Sequence, residues 1–315
     1  MNKKDIKIIF IGSANFSVPI LEMLIKNYTV QLIVTEEDKA AGRGKKITAP
    51  PPKSIAQASN ISCVQPQRVK GNVELFEQIK KLAPTVLIVA AYGKILPNKI
   101  LEMTEFGCLN VHPSLLPKYR GPSPIQTVLL NGESQTGVSI MLLNSAMDEG
   151  DILKQDEVAI ESNETYEELE SKLALKSTKM LDEVLPQYIN EKIELTKQND
   201  SEATYCYKID KLDGCIDFTN SAETIYNQYR AYHYWPGIYC FYGKLKLDLI
   251  EVKNEPIEDI DNYKVGKVFK KNKAVYVKCQ NSALQLVKVR LESKKETLVL
   301  DFLNGHQDFI GTVLE

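Results

Sequence analysis

The first half of the chain alternates short apolar runs with amphipathic segments, and no other feature constrains its fold as tightly. Residues 6–11 read as a buried strand that ends at Gly12. Residues 16–27 follow, with Val18, Leu21, Leu24 and Ile25 at helical spacing. Strand runs recur at 29–35, 85–91 and 108–112, with a helix at 73–82, and 137–143 and 151–160 are further strand candidates. Thr165 and Glu168 have capping-box spacing and open a long helix with Leu169, Leu173, Met180, Val184 and Leu185 on its apolar side. Such strand–helix–strand units predict an α/β fold: a Rossmann-like, mostly parallel sheet with helices on both faces. Ligands of these sheets bind beyond the carboxyl ends of the strands, which directs attention to Gly12, Tyr92 and residues 110–112.

Residues 36–53 interrupt the pattern. They hold Gly42-Arg43-Gly44-Lys45-Lys46 and Pro50-Pro51-Pro52, and the three prolines predict that no helix forms there. The glycine–lysine run lacks the first glycine of a phosphate-binding P-loop and has Lys46 where a magnesium-binding hydroxyl would stand, so it reads as a basic loop. The loop after Gly12 likewise lacks the later glycines of a dinucleotide fingerprint.

A chain of 315 residues predicts about two domains. Residues 1–189 hold the strand–helix alternation, the polar stretch 190–206 reads as a linker, and 207–315 change character. There one helix, 222–232, precedes short strand runs at 237–242, 244–252, 265–269, 274–279 and 283–291, which predict a small OB-like β-barrel. A hydrophobic share of 43% with 25% charged residues excludes a disordered tail, a collagen-like chain and a small disulfide scaffold. No apolar run approaches the ~20 residues of a membrane helix. Asp5 and the lack of a small-residue cleavage site argue against a signal peptide, so a cytoplasmic protein is expected. Six scattered cysteines without C-x-x-C spacing and three isolated histidines predict no metal site.

The net charge of −2 does not advertise nucleic-acid binding. Residues 207–315 carry 16 basic and 15 acidic side chains, a net +1. Within them Lys264, Lys267, Lys270, Lys271, Lys273 and Lys278 occur with no acid between. That run is either a solvated strand and turn or a phosphate-contacting patch.

Candidate chemistry concentrates in residues 109–125. Strand alternation places Asn110 and His112 on one face, and Pro113 ends the strand. Pro117, Pro122 and Pro124 hold the following chain in a stiff, non-regular form that suits a small-molecule pocket. A hydrogen-bonded core contact at a strand end is the alternative reading of the pair. Asp148, in Met147-Asp148-Glu149-Gly150-Asp151, follows another strand run, where simple turn chemistry also accounts for it. With no Ser or Cys in a nucleophile motif, direct group transfer is favoured over a covalent intermediate. His233, His306 and Trp235 are expected to pack the second domain.

Residues 110–117 (Asn-Val-His-Pro-Ser-Leu-Leu-Pro) with Asp148-Glu149-Gly150-Asp151 resemble the formyltransferases that use 10-formyltetrahydrofolate. Residues 8–12, 41–46, 90–97 and 120–126, then Thr136-Gly137-Val138, Arg230-Ala231-Tyr232 and Trp235-Pro236-Gly237, extend the resemblance over nearly the whole chain. They point to the branch acting on initiator methionyl-tRNA. The sequence departs from the family pattern at Pro113, and Glu36-Glu37 makes the start of the long loop acidic. The resemblance implies that an amine attacks the formyl carbon of 10-formyltetrahydrofolate. Asn110 and a charged His112 would stabilise the developing oxyanion, and Asp148 would orient His112, favour its charged form and help move the proton. It further implies folate contacts at Gly93, Ile95, Leu96, Ser114, Leu115, Leu116 and Pro117. Contacts to tRNA are expected at Arg43, Lys45, Lys46, Lys264, Lys267, Lys270, Lys271 and Lys273. No metal is needed, and a monomer is expected. Formyl transfer to a small amine, hydrolysis of the same donor by water, and a non-catalytic RNA-binding module are the alternatives.

Overall fold

Apolar side chains at every position from Ile8 to Ile11 leave β1 (Lys7–Gly12) no face to turn to water. The strand accordingly lies inside a seven-stranded sheet. The computed structural model describes residues 1–41 and 46–315. From β1 the chain runs through α1 (Ser17–Asn27), β2 (Thr29–Val34), the antiparallel pair β3 (Lys39–Ala41) and β4 (Lys46–Thr48), α2 (Pro51–Ala58) and β5 (Cys63–Val64). It continues through α3 (Val73–Leu82), β6 (Val86–Ala90), α4 (Asn98–Leu101), β7 (Cys108–His112), α5 (Pro124–Leu130), β8 (Gln135–Leu142), β9 (Ile152–Ala159) and α6 (Tyr166–Ile189).

Two units divide the chain: Met1–Pro124, Gln135–Ile160 and Glu170–Tyr207 form the first, and Ile125–Ser134, Glu161–Leu169 and Lys208–Glu315 the second. The first unit's sheet has the order β5-β2-β1-β6-β7-β8-β9. Five strands, β5 to β7 in that order, are parallel, and β8 and β9 are antiparallel. The expected mostly parallel sheet is therefore present. Alternate residues Ile9 and Ile11, Leu32 and Val34, and Leu87 and Val89 share a core with Leu75, Phe76 and Ile79 of α3. Each such side chain contributes roughly 1.5–3 kcal/mol on burial. Asn72 starts α3 by accepting a hydrogen bond from the Leu75 N–H.

One expectation is corrected. The prolines at 50–52 do not exclude a helix: Pro51 and Pro52 form the first turn of α2. A helix leaves its first N–H groups unpaired, so proline's missing donor costs nothing there. The polar stretch 190–206 lies within the first unit. Thr196 pairs with Ile152, and Tyr205 pairs with Arg120. It lacks periodicity because it is held by hydrogen bonds rather than by an apolar stripe.

In the second unit, Ser221 caps α7 (Ala222–Tyr232) by accepting from the Thr224 N–H. The strands β10 (Ile238–Tyr242), β11 (Leu245–Lys253), β12 (Val268–Lys271), β13 (Ala274–Lys278), β14 (Ala283–Leu291) and β15 (Thr297–Leu298) precede α8 (Val299–Gly305). They form an antiparallel sheet of order β10-β11-β14-β13-β12, with β15 beside β14. Residues 311–315 bond to both ends of that order. The Phe241 N–H donates to the Glu315 carbonyl at 2.6 Å, and the Val268 N–H to the Thr312 carbonyl at 2.8 Å. Both sheet edges are thereby paired, which gives the expected small barrel.

Asp182 of α6 ties three parts of the first unit together. Its carboxylate accepts from Lys3 Nζ at 2.7 Å, Asn27 Nδ2 at 3.0 Å and the Tyr28 hydroxyl at 3.0 Å. Burial pushes its pKa up, but these three hydrogen bonds and the Lys3 charge prevail and hold it below the usual carboxylate value. Asp182→Asn should lower stability at neutral pH by roughly 1–2 kcal/mol, a figure reduced for the half-exposed Lys3. A depressed carboxylate stabilises above its unfolded pKa and ceases to do so as pH falls through the folded one. Urea unfolding should therefore show the full deficit at pH 7 and a shrinking one below about pH 4. A deficit independent of pH would contradict this account.

Candidate active site

The order of the sheet reverses between β1 and β6, and the site grows from the carboxyl ends beside that reversal. The loops leaving β1 and β6 are joined there, since the Ser13 and Ala14 N–H groups both donate to the Ala91 carbonyl at 3.1 and 3.3 Å. Next to β6, β7 carries Asn110 and His112, two residues apart and so on one face. Asp148 arrives from the loop between β8 and β9. Its Oδ1 lies 3.5 Å from Asn110 Nδ2, and its Oδ2 lies 3.8 Å from His112 Nδ1. The structure thus brings together the three residues expected to carry the chemistry.

His112 is 5% exposed. Its Nε2 lies 3.0 Å from the Tyr119 carbonyl. A carbonyl only accepts, so Nε2 carries a proton and the ring is fixed by its far edge. Nδ1 is the nitrogen left to face Asp148, across a gap too long for a direct hydrogen bond. Asp148 has φ +56°, in the left-handed region. Its Oδ2 accepts from the Gly121 N–H at 2.9 Å. Gln198 Nε2 donates to the carbonyls of Asp148 and Gly150, both at 2.8 Å.

Gln198 is in turn held by Arg120, whose Nε and Nη2 donate to its Oε1 at 3.0 and 2.8 Å. The Arg120 side chain is 1% exposed and also meets Asp200 at 2.6 Å and Glu149 at 3.5 Å. Gln198 sits in a polar, aperiodic stretch that carries no signal of its own.

The residues expected at the folate divide into two groups. Ser114 is fully buried, its hydroxyl donates to the Lys118 carbonyl at 2.6 Å, and its carbonyl accepts from the Ser139 hydroxyl at 2.6 Å. The Leu116 N–H donates to Ser139 Oγ at 3.0 Å, and the Leu116 carbonyl accepts from Gln155 Nε2 at 2.8 Å. These groups shape the loop from inside. Leu115 and Pro117 are half-buried and present apolar surface. On the neighbouring loop Gly93 has φ +77°, Leu96 packs on the sheet core, and Ile95 is 91% exposed.

Among the residues expected at tRNA, Arg43 and Lys45 lie outside the described residues. Lys46 enters only through its strand pairing with Ala41. Lys264, Lys270 and Lys273 are exposed and Lys267 is half-buried. Lys271 is held by the Glu258 carbonyl at 2.5 Å and by Asp259 at 3.4 Å. Lys278, counted in the same acid-free run, is only 5% exposed. The acids at 258 and 259 lie just outside that run, and the fold returns them to it. Trp235, expected to pack, is 44% exposed, and the exposed His233 pairs with Glu167 at 3.0 Å. His306 does pack, stacked on Phe302 at 4.1 Å between centroids.

Residues 6–185 match the formyl transferase family, and residues 208–307 match the formyl transferase C-terminal domain. The chain belongs to the formyl transferase family. Among its relatives, the methionyl-tRNA formyltransferase of Caldicellulosiruptor saccharolyticus is 40% identical over 98% of this chain and 99% of its own. That of Thermotoga maritima is 42% identical over 78% of this chain and 79% of its own. The fold is shared with the N-formyltransferase of Helicobacter canadensis, solved with folinic acid and dTDP-3-aminofucose. That match has TM-score 0.65 and 20% identity, over 89% of this chain and 98% of the other. It is also shared with HypX of Aquifex aeolicus in complex with tetrahydrofolic acid, at TM-score 0.65 and 15% identity over 96% of this chain and 48% of the other.

Gly150 tests the loop that carries Asp148. A Cβ there would run into the Leu142 carbonyl oxygen, a backbone atom that cannot swing aside. Gly150→Ala should cost roughly 1–3 kcal/mol by overpacking and lower turnover with it. Thermal unfolding and turnover both at the native level would show that the loop does not pack as described.

Proposed function

We propose that this chain transfers the formyl group of 10-formyltetrahydrofolate to the α-amino group of initiator methionyl-tRNA. The observation that carries the proposal is the convergence of Asn110, His112 and Asp148 at one strand end. Full-length similarity to methionyl-tRNA formyltransferases supports the choice of acceptor. The half-buried Leu115 and Pro117 and the exposed Ile95, on loops leaving adjacent strands, offer apolar surface to a flat folate ring.

The donor supplies an N-formyl carbon open to attack by an amine. Asn110 Nδ2 offers a donor to the formyl oxygen as negative charge develops there. Such a fixed donor contributes ~10²–10³-fold to turnover. His112 holds a proton at Nε2 against Tyr119, so Nδ1 is the atom that can donate to the same oxygen or move a proton. Asp148 flanks Nδ1 and can receive the proton that the amine loses; as the tetrahedral intermediate collapses, the formyl C–N10 bond breaks and that proton passes to the departing N10 of tetrahydrofolate, an effect of ~10²–10⁴-fold. Its carboxylate is aimed by the Gly121 N–H.

Asn110→Ala, His112→Ala and Asp148→Ala should each lower turnover by at least ~10²-fold without loss of the fold. The assay supplies 10-formyltetrahydrofolate and charged initiator tRNA, and scores formyl-methionine against free formate. Near-native turnover in all three variants would remove the site assignment. Formate as the main product would turn the reading to hydrolysis.

The acceptor's phosphates are assigned to Arg43, Lys45 and Lys46 and to the exposed lysines of the barrel, with Lys271 contributing less because Asp259 already pairs with it. Replacing Lys264, Lys267, Lys270 and Lys273 together by Ala should flatten the log–log dependence of tRNA affinity on salt. The slope should fall by ~0.7–0.9 for each phosphate that is no longer neutralised. The barrel's net charge of +1 predicts a shallow slope even in the native chain. An unchanged slope would take these lysines out of the interface.

A further inference from the structure

The Asp148 loop is held by the stretch of chain that follows α6. Residues 196–205 form no helix or strand of their own beyond one short 3₁₀ turn, yet they bond at several points to the segments that carry the proposed chemistry. Gln198 is the centre of this. Its amide nitrogen bridges the carbonyls of Asp148 and Gly150, on either side of Glu149. Its amide oxygen receives two hydrogen bonds from one guanidinium. All four hydrogen bonds measure between 2.8 and 3.0 Å. The orientation of the amide is therefore determined, because only oxygen can face Arg120 and only nitrogen can face two carbonyls.

The bridge has a specific consequence. A non-glycine residue with φ +56° is in a conformation that costs on its own, and it persists where surrounding contacts over-determine it. The two carbonyl contacts supply that constraint for Asp148. Arg120 contributes twice: its side chain fixes Gln198, and its own peptide leads into the Gly121 N–H that aims the carboxylate. Gly121 stands at φ +121°, where a side chain would meet the Cys206 carbonyl oxygen, so that N–H is fixed as well.

We infer that Gln198, oriented by Arg120, is a positioning residue for Asp148. It holds the Asp148 backbone so that the carboxylate faces Asn110 and His112. It touches no substrate. The inference rests on the functional reading above, in which Asp148 acts on the transferred group.

Gln198→Glu separates positioning from packing. A carboxylate of the same size keeps the pair with Arg120 but cannot donate to the two carbonyls, and it repels them. The variant should stay folded by circular dichroism and lose kcat by ~10–10²-fold, the scale of a misplaced catalytic group. The KM values for the folate donor and for tRNA should stay within about twofold. In an Asp148→Ala background the same change should lower kcat by less than about threefold, because nothing remains to be positioned. Native kcat in folded Gln198→Glu, a loss confined to KM, or a loss that multiplies fully with Asp148→Ala would each overturn the inference. Should the charged variant fail to fold, Gln198→Met, uncharged and of similar length, is held to the same criteria. Failure of both to fold would overturn it as well, by making Gln198 a stability residue first. Asp148→Ala alone tells the two failures apart. If it keeps native turnover, the functional reading falls and the inference with it; if it loses turnover while Gln198→Glu does not, the inference alone falls.

Discussion

A guanidinium taken out of water must be paired, and Arg120 is taken out almost entirely. Its partners include Glu149, Gln198, Asp200 and Tyr205. Three of them come from the irregular stretch after α6, and one from the loop beside Asp148. Meeting the demand of that one charge therefore gathers three distant parts of the chain around the carboxyl end of β7. The proposed chemistry stands on the same ground, since the Gly121 N–H that follows Arg120 bonds to Asp148.

The sheet supplies the other half of the geometry. Strands buried on both faces need helices on both faces, and the crossover helices make the strands parallel. Parallel strands end together, so the loops after β6 and β7 begin side by side. The two antiparallel strands β8 and β9 then extend the sheet beyond β7. Ser139 on β8 bonds to both Ser114 and Leu116, and Gln155 on β9 bonds to Leu116 and Ser139. The proline-rich loop after His112 is thus shaped by the neighbouring strands as well as by its prolines.

The barrel follows a different rule. Its antiparallel order leaves β10 and β12 as edges, and residues 311–315 pair with both. Basic side chains lie on its surface against nearly as many acids, so its field is local rather than global. Where an acid returns to the run, as Asp259 does at Lys271, the charge is already partnered.

Much of this was legible in the sequence. Helices at 73–82 and 222–232 and strands at 108–112 and 283–291 show in the pattern alone, because apolar periodicity records which face is buried. Asn110 and His112 were readable as a pair because strand alternation is a local rule, and the proposed role of Asp148 came with a motif. The prolines at 50–52 misled because proline forbids a helix interior but suits a helix start, and sequence does not say which of these a triplet occupies. Tertiary structure alone decided Gln198, the inward use of Ser114 and Leu116, the pairing of Lys271 and the burial of Lys278. Each depends on which polar partner a residue meets away from its own element. Apolar patterning repeats along the chain and can be read there; a hydrogen bond between residues 120 and 198 leaves no period, and exists only once the sheet has brought its two ends together.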